Sequence, residues 1–274
     1  MLLEARKHPL LERAYARYGR RLLRRAFARV WVGGEPWPPG DGPTIAFLNH
    51  NSWWDPIVAL YLSHDLFRRD GYGMMQGEQL ASYPFFRRIG CFGVSAESFE
   101  DVRAMSVYAA RLLTEGMRRT LWIFPQGALV PPRVPLSFRS GAARLARVVP
   151  DAPLVPVAVR YEFRGEQRPE VFVRVGPAVR PASGATAAAA RDASPLALTR
   201  GLEQRLRLEL SALDEDLLHP SPAEMGYSVV LEGRRSLSTL YDRTLGRLPG
   251  MRAEGETGGG RTGAGPSDEA SDER

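Results

Sequence analysis

Cysteine is nearly missing from this sequence: Cys91 is the only one in 274 residues. That excludes an internal disulfide framework and fits a reducing compartment. It also leaves no Cys/His cluster of zinc-site spacing, so no metal centre is expected. Long hydrophobic runs are absent too, and none approaches the roughly 18–20 apolar residues that span a bilayer. Arginines interrupt the first residues throughout, so no signal-peptide core is expected there. Lysine is limited to Lys7, which makes arginine the carrier of almost all positive charge. There are no internal repeats.

What is present reads as an ordinary globular composition, 44% hydrophobic and 25% charged. The length supports one large domain or two small ones with a real core. The formal net charge of +6 is unevenly spread. Residues 1–30 hold nine basic side chains against Glu4 and Glu12, a net of +7. The tail 251–274 carries a net of −3, which leaves the body between them close to neutral. A nucleic-acid-binding face spread over the fold is therefore not expected.

The first thirty residues read as a basic amphipathic helix. Leu11, Tyr15, Tyr18, Leu22, Phe27 and Val30, joined by Leu10, Leu23 and Ala26, recur at spacings of three and four, with arginines over much of the rest. Such a helix suits a membrane surface, where arginine attracts anionic lipid. It equally suits packing on its own domain with a solvated basic face, and the pattern leaves both open. A Gly/Pro-rich run from Gly33 to Gly40 ends it.

Strand and helix then alternate. Apolar runs at 43–48, 72–76, 121–124, 154–159 and 171–175 predict strands. Helical pattern falls at 54–67, 98–116 (Ser98 as cap), 139–149 and 195–218. The alternation predicts an α/β fold with a mostly parallel central sheet flanked by helices. The expected organisation is a basic helix over 1–33, a domain over 40–250 and a disordered tail over 251–274, with 183–194 a linker and 220–250 unassigned.

One block stands out: Asn49-His50-Asn51-Ser52-Trp53-Trp54-Asp55-Pro56. His50 follows a buried strand at its C-terminal end, where open α/β sheets bind ligands. A neutral imidazole there can serve as a general base, and Asp55 can hold its other nitrogen. A spacing of five does not bring side chains together on a regular helix. The pair meets only if His50 precedes the helix and the chain turns sharply. The alternative is a histidine with a purely structural hydrogen bond.

Phe124-Pro125-Gln126-Gly127-Ala128 follows another apolar strand and should open at the same edge. Glycine lets the backbone approach a ligand, and a polar neighbour can bind a hydroxyl. A plain Pro-x-Gly turn is the competing reading. Trp53 and Trp54 either wall a lipid site or pack the helix start on the sheet. Cys91 reads as a small core residue.

Together these blocks resemble the 1-acylglycerol-3-phosphate acyltransferase (glycerolipid/lysophospholipid acyltransferase) family: Asn-His-x-x-x-x-Asp early, then Phe-Pro-x-Gly about seventy residues later. Val155-Pro156-Val157-Ala158 resembles the family's late strand, and Phe138-Arg139-Ser140-Gly141-Ala142 the segment after the Phe-Pro-x-Gly loop. The resemblance covers about residues 40–180. It implies transfer of a fatty acyl group from acyl-CoA or acyl-carrier protein to a hydroxyl of a lipid acceptor, with no cofactor. His50 would be the base and Asp55 its orienting group. Phe124, Pro125, Gln126, Gly127 and Arg139 would bind substrate, the Gly-containing loop meeting the acceptor or the developing oxyanion. A membrane surface contacted through residues 1–30 on the cytoplasmic, inner face is expected, and nucleic acid is not.

Two departures bear on the acceptor. Gln126 stands where the family has glutamate. Ala96 stands where its Gly-x-x-Phe-x-x-Arg motif has the arginine associated with phosphate. Arg87, Arg88, Arg139 or Arg160 are candidates to replace that cation. The departures open the alternative of a non-phosphorylated acceptor, such as a glycolipid or carotenoid glycoside. An inert lipid-binding relative is the alternative outside enzymes, and the paired His50 and Asp55 count against it.

Overall fold

The computed structural model describes residues 2–94, 99–179 and 194–234. In chain order the elements are β1 (Leu2–Leu3), α1 (Pro9–Ala26), β2 (Arg29–Gly34), β3 (Thr44–Leu48), α2 (Asp55–Tyr61), a π-helical turn (Leu62–Leu66) and β4 (Asp70–Gln76). There follow α3 (Gly77–Ser82), α4 (Phe85–Arg88), β5 (Cys91–Val94), α5 (Phe99–Thr114), β6 (Arg119–Ile123), α6 (Gly141–Val148), β7 (Leu154–Glu162) and β8 (Glu170–Val175). The last described elements are α7 (Pro195–Asp216), a 3-10 turn (Pro222–Met225) and β9 (Ser228–Glu232).

The strands form one sheet in the order β1-β5-β4-β6-β3-β7-β8-β2-β9. The pairs β5/β4, β4/β6, β6/β3, β3/β7 and β8/β2 are parallel. The pairs β1/β5, β7/β8 and β2/β9 are antiparallel. The sheet is thus mostly parallel, as the alternation predicts, and antiparallel strands close both edges. At its centre, every residue of β3 is buried. A strand covered on both sides reads as a continuous apolar run, here Ile-Ala-Phe-Leu.

Alternation along β3 divides the core. Ile45 and Phe47 join the cluster under α5, α6 and α7, which includes Leu113, Leu145 and Leu206. Ala46 and Leu48 face the opposite cluster, with Leu23 of α1 and Ile57 of α2.

The N-terminal helix differs from its sequence reading in three ways. It covers Pro9–Ala26 and not 1–33. The chain turns extended at Phe27, so Val30 belongs to β2, which pairs between β8 and β9 inside the sheet. The β-branched valines of Arg-Val-Trp-Val favour that strand. Most informative is the face that packs. Ala16, Gly19 and Leu23 are buried, and a Cβ at Gly19 would touch the Ile57 side chain at 3.4 Å. Small residues let α1 lie close on α2, while Leu11 and Tyr18 of the predicted apolar stripe stay exposed. The helix is part of the domain, and Arg20 ties it to Asp65 at 3.1 Å.

The predicted helix over 54–67 is α2 followed by the π-helical turn. The unassigned 220–250 contains β9. The Ser98 cap, Ala96, the linker up to residue 193 and the tail 251–274 lie outside the described residues. No helix among the described residues is long and apolar enough to cross a membrane.

Candidate active site

β3 ends at Leu48 and α2 begins at Asp55, so six residues carry the chain out of the sheet and back. Asp55 is the first residue of α2, and its own N–H bonds Ser52 C=O at 3.2 Å. This is the tight turn a five-residue spacing demands. It brings His50 Nδ1 to 2.9 Å from Asp55 Oδ2.

Asp55 is fully buried, yet each of its oxygens has donors. Oδ2 also accepts from the N–H groups of Asn51 and Ser52, both at 2.8 Å. Oδ1 accepts from the Tyr161 hydroxyl at 2.6 Å. A buried carboxylate is tolerated when its lone pairs are filled this way and when it opens a helix, where the dipole favours negative charge. Burial, and then the Asp55 charge, push the Tyr161 phenol well above its ordinary value. The phenol therefore stays protonated and remains a donor. With Asp55 accepting throughout, His50 Nδ1 carries the ring proton and Nε2 keeps its lone pair. The His50 side chain is 18% exposed, against 0% for Asp55.

The second loop closes over the first. The Phe124 ring lies on the His50 imidazole, centroids 4.2 Å apart. Gln126 is buried, and its Oε1 accepts from the His50 N–H at 2.8 Å. Val130 N–H bonds His50 C=O at 2.8 Å, and Asn51 Nδ2 bonds Val130 C=O at 2.6 Å. Pro125 is buried, its carbonyl taken by Arg139 N–H at 2.8 Å. Gly127 has φ +71°, and a Cβ there would stand 2.8 Å from Arg139 Nε. Only glycine fits that backbone beneath that guanidinium. The Gly127 N–H is spent inside the turn on Phe124 C=O, and its own carbonyl accepts from Gln76 Nε2 at the end of β4.

The structure thus brings His50, Asp55, Phe124, Pro125, Gln126, Gly127 and Arg139 into one cluster at the C-terminal edge of β3, β4 and β6. Of the four candidate arginines, Arg139 is the one seen against the Gly127 loop. Arg160 is held by both oxygens of Asp214 at 2.6 and 2.8 Å, and Arg87 Nε donates to Glu4 C=O at 2.7 Å. The two tryptophans meet edge to face at 5.3 Å but differ in setting: Trp54 packs edge-on against Phe27 at 5.0 Å, whereas Trp53 is 62% exposed. Burial pushes the Cys91 thiol up to about 12, which leaves no thiolate for nucleophilic work at neutral pH.

Sequence reasoning missed Tyr161 and gave Asn49, though it heads the motif, no role of its own. Asn49 is fully buried and pins β3 to β7 through Val159, accepting its N–H at 2.9 Å and donating to its C=O at 3.0 Å. Tyr161 lies two residues beyond the strand read as ending at Val159. Only the register of β7 on β3 carries it to Asp55. A cation-binding cluster of three or more His, Cys, Asp or Glu is absent among the described residues.

Residues 29–160 match the family model described as Acyltransferase. The fold is similar to the crystal structure of PlsC, the 1-acyl-sn-glycerophosphate (LPA) acyltransferase from Thermotoga maritima. The TM-score is 0.52 at 20% identity, over 74% of this chain and 79% of that one. No curated protein matches the chain.

Proposed function

We propose that this chain, whose residues 29–160 match the Acyltransferase family model, moves a fatty acyl group from a thioester of coenzyme A or acyl-carrier protein to a hydroxyl of a lysophospholipid or related lipid. In this reading His50 Nε2 takes the hydroxyl proton as the oxygen attacks the thioester carbonyl. The resulting imidazolium is stabilised by Asp55 and returns the proton to the leaving thiolate, so atoms and charge balance without an acyl-enzyme. Asp55 and Tyr161 position the imidazole and fix its tautomer. One observation carries the proposal: a buried carboxylate with every oxygen engaged is aimed at a histidine whose side chain is itself only partly buried. Structural histidines do not require such an arrangement.

Arg139 above Gly127 is the cation best placed for an acceptor phosphate or for the oxyanion that forms on the carbonyl. Because the Gly127 N–H is used inside its own turn, this glycine serves the site by its shape and not as a donor. A second reading is favoured by Gln126. Its Oε1 is committed to His50, and the side chain presents an amide where the resembling family presents a carboxylate. A neutral group there fits a non-phosphorylated hydroxyl acceptor such as a glycolipid.

Purified protein is incubated with labelled acyl-CoA or acyl-carrier protein and a panel of lysophospholipids and glycolipids, with products read by mass. The expected result is an ester product from one acceptor class and none from His50→Ala. Equal product from His50→Ala would overturn the assignment.

A further inference from the structure

β4 and β6 pair only as far as Gly73 and Trp122, and past that point their chains part. β4 runs on through Met74 and Met75 to Gln76, whereas β6 gives way to the loop carrying Phe124, Gln126 and Gly127. One bond crosses the opening. Gln76 Nε2 donates to Gly127 C=O at 2.7 Å. Among the described residues no other hydrogen bond joins 74–82 to 124–140.

Gln76 stands at the N-cap position of α3, yet its side chain makes no cap bond. Capping residues are short (Ser, Thr, Asp or Asn), so that an oxygen turns back onto the helix N–H groups. A glutamine here gives α3 no cap and instead reaches a loop 51 positions along the chain. The other flank of that loop is held by the backbone of His50. Gln126 Oε1 accepts from His50 N–H, and Val130 N–H donates to His50 C=O, both at 2.8 Å. Because β6 lies between β4 and β3, the loop is clamped from two sides, by Gln76 and by His50.

The peptide between Gly127 and Ala128 is the part that needs the clamp. Gly127 has φ +71°, and a residue without Cβ leaves the next peptide plane free to turn. Its own N–H, held by Phe124 C=O, fixes only the plane before it. The bond from Gln76 fixes the plane after it. A trans peptide sets C=O and N–H antiparallel, so drawing Gly127 C=O toward Gln76 turns Ala128 N–H away from it. Ala128 is exposed, and its N–H has no acceptor among the described residues. With the plane turned over, the loop would present a carbonyl oxygen where it now presents a donor.

The geometry points to Gln76 as a positioning residue of the active site, acting from the end of β4 by holding the Gly127–Ala128 peptide in one orientation. The inference rests on the proposed acyl transfer for its effect on rate. Negative charge develops on the thioester oxygen during attack, and a loop that shows a donor favours it where a carbonyl opposes it.

The test compares Gln76→Ala, Gln76→Lys and Gln76→Glu with wild type, each as the full chain. Transfer is followed with labelled acyl-CoA and the acceptor panel, and hydrogen exchange is read by mass over residues 124–130. Alanine removes the donor, so kcat should fall about tenfold with KM within about twofold. Exchange of the loop amides should quicken several-fold. The thermal midpoint should hold within about 2 °C, because the lost bond is exposed and neutral. Lysine supplies a donor of comparable reach, and should bring kcat back to within about threefold of wild type, with loop exchange slowed again. Glutamate keeps the length but only accepts when ionised, so at about pH 8 it should be slower than alanine. Its rate relative to wild type should climb as the pH falls toward about 5, where a protonated carboxyl donates again.

Equal kcat in all four proteins, or loop exchange that does not respond, would overturn the inference. So would a lysine variant as slow as alanine, or a rate loss that follows the thermal midpoint and not the donor. Absence of transfer by the wild type would sink the proposed function alone, because loop exchange reads the tether without it.

Discussion

β3 has a buried charge at each end, and the two are handled in opposite ways. At the carboxyl end Asp55, fully buried, is filled by N–H and O–H donors from β7 and its own loop. At the amino end Arg69, 6% exposed, is filled by acceptors. It donates to Gly40 C=O at 2.7 Å, to Gly42 C=O, and to the hydroxyls of Thr44 and Thr120, each at 3.2 Å. Burial lowers the Arg69 pKa from its ordinary value, but guanidinium starts so high that it keeps its charge. The difference lies in what each hub leaves open. Arg69 spends its donors on loop and strand ends and shows the solvent nothing that titrates near neutrality. Asp55 turns one oxygen to a histidine whose side chain stays partly exposed. One device, a buried ion stapling loops, thus holds the fold at one end and prepares chemistry at the other.

The contrast can be broken by paired substitutions. His50→Ala should lower acyl transfer by about a thousandfold or more, while the thermal midpoint moves by no more than about 2 °C. Arg69→Met should do the opposite. It strands two carbonyls and two hydroxyls, so stability should fall by about 3 kcal/mol and the midpoint by roughly 6–12 °C. Its turnover per folded molecule should stay near wild type, as read by kinetics below the melting range. A turnover loss in Arg69→Met matching that of His50→Ala would erase the distinction.

Tyr161→Phe sharpens it further, because it removes one donor from the catalytic hub without touching His50. We expect kcat to fall about tenfold with KM within twofold, the sign of a group that positions and does not bind. An unchanged kcat with a lower midpoint would make Tyr161 a structural ligand of Asp55, like the acceptors of Arg69. Gln126→Glu should have the smallest effect. The bond to His50 N–H survives, and the relative rates on phosphorylated and neutral acceptors should shift several-fold. An identical acceptor profile would place Gln126 outside the acceptor's reach.

The same contrast explains what the sequence could reveal. The catalytic hub is local on one side: His50 and Asp55 are five residues apart, and the strand before them is a plain apolar run. Its other half is non-local, since Tyr161 reaches Asp55 only through the pairing of β7 on β3. The Arg69 hub left no signal, because one arginine among so many gives no hint of burial. The main strands were readable because continuous apolar runs fill both layers of core. Leu2–Leu3, Cys91–Val94 and Ser228–Glu232 are too short or too mixed for that pattern. On α1 the large apolar side chains drew the eye, whereas Ala16 and Gly19 share the contact with only one of them fully buried, Leu23. Hydrophobicity scales reward bulk, and close helix packing rewards its absence.

The antiparallel strands that close the sheet have a practical bearing on handling the protein. β9 lies along β2 from Arg29–Glu232 to Val32–Ser228, so it caps the backbone of a strand that otherwise ends the sheet. A shortened version cut after Met225, a natural choice for crystallisation since α7 is already complete, would unzip that seam. Valine-rich β2 would then offer free N–H and C=O groups to any neighbour, and the trimmed protein should come off a sizing column as polymer.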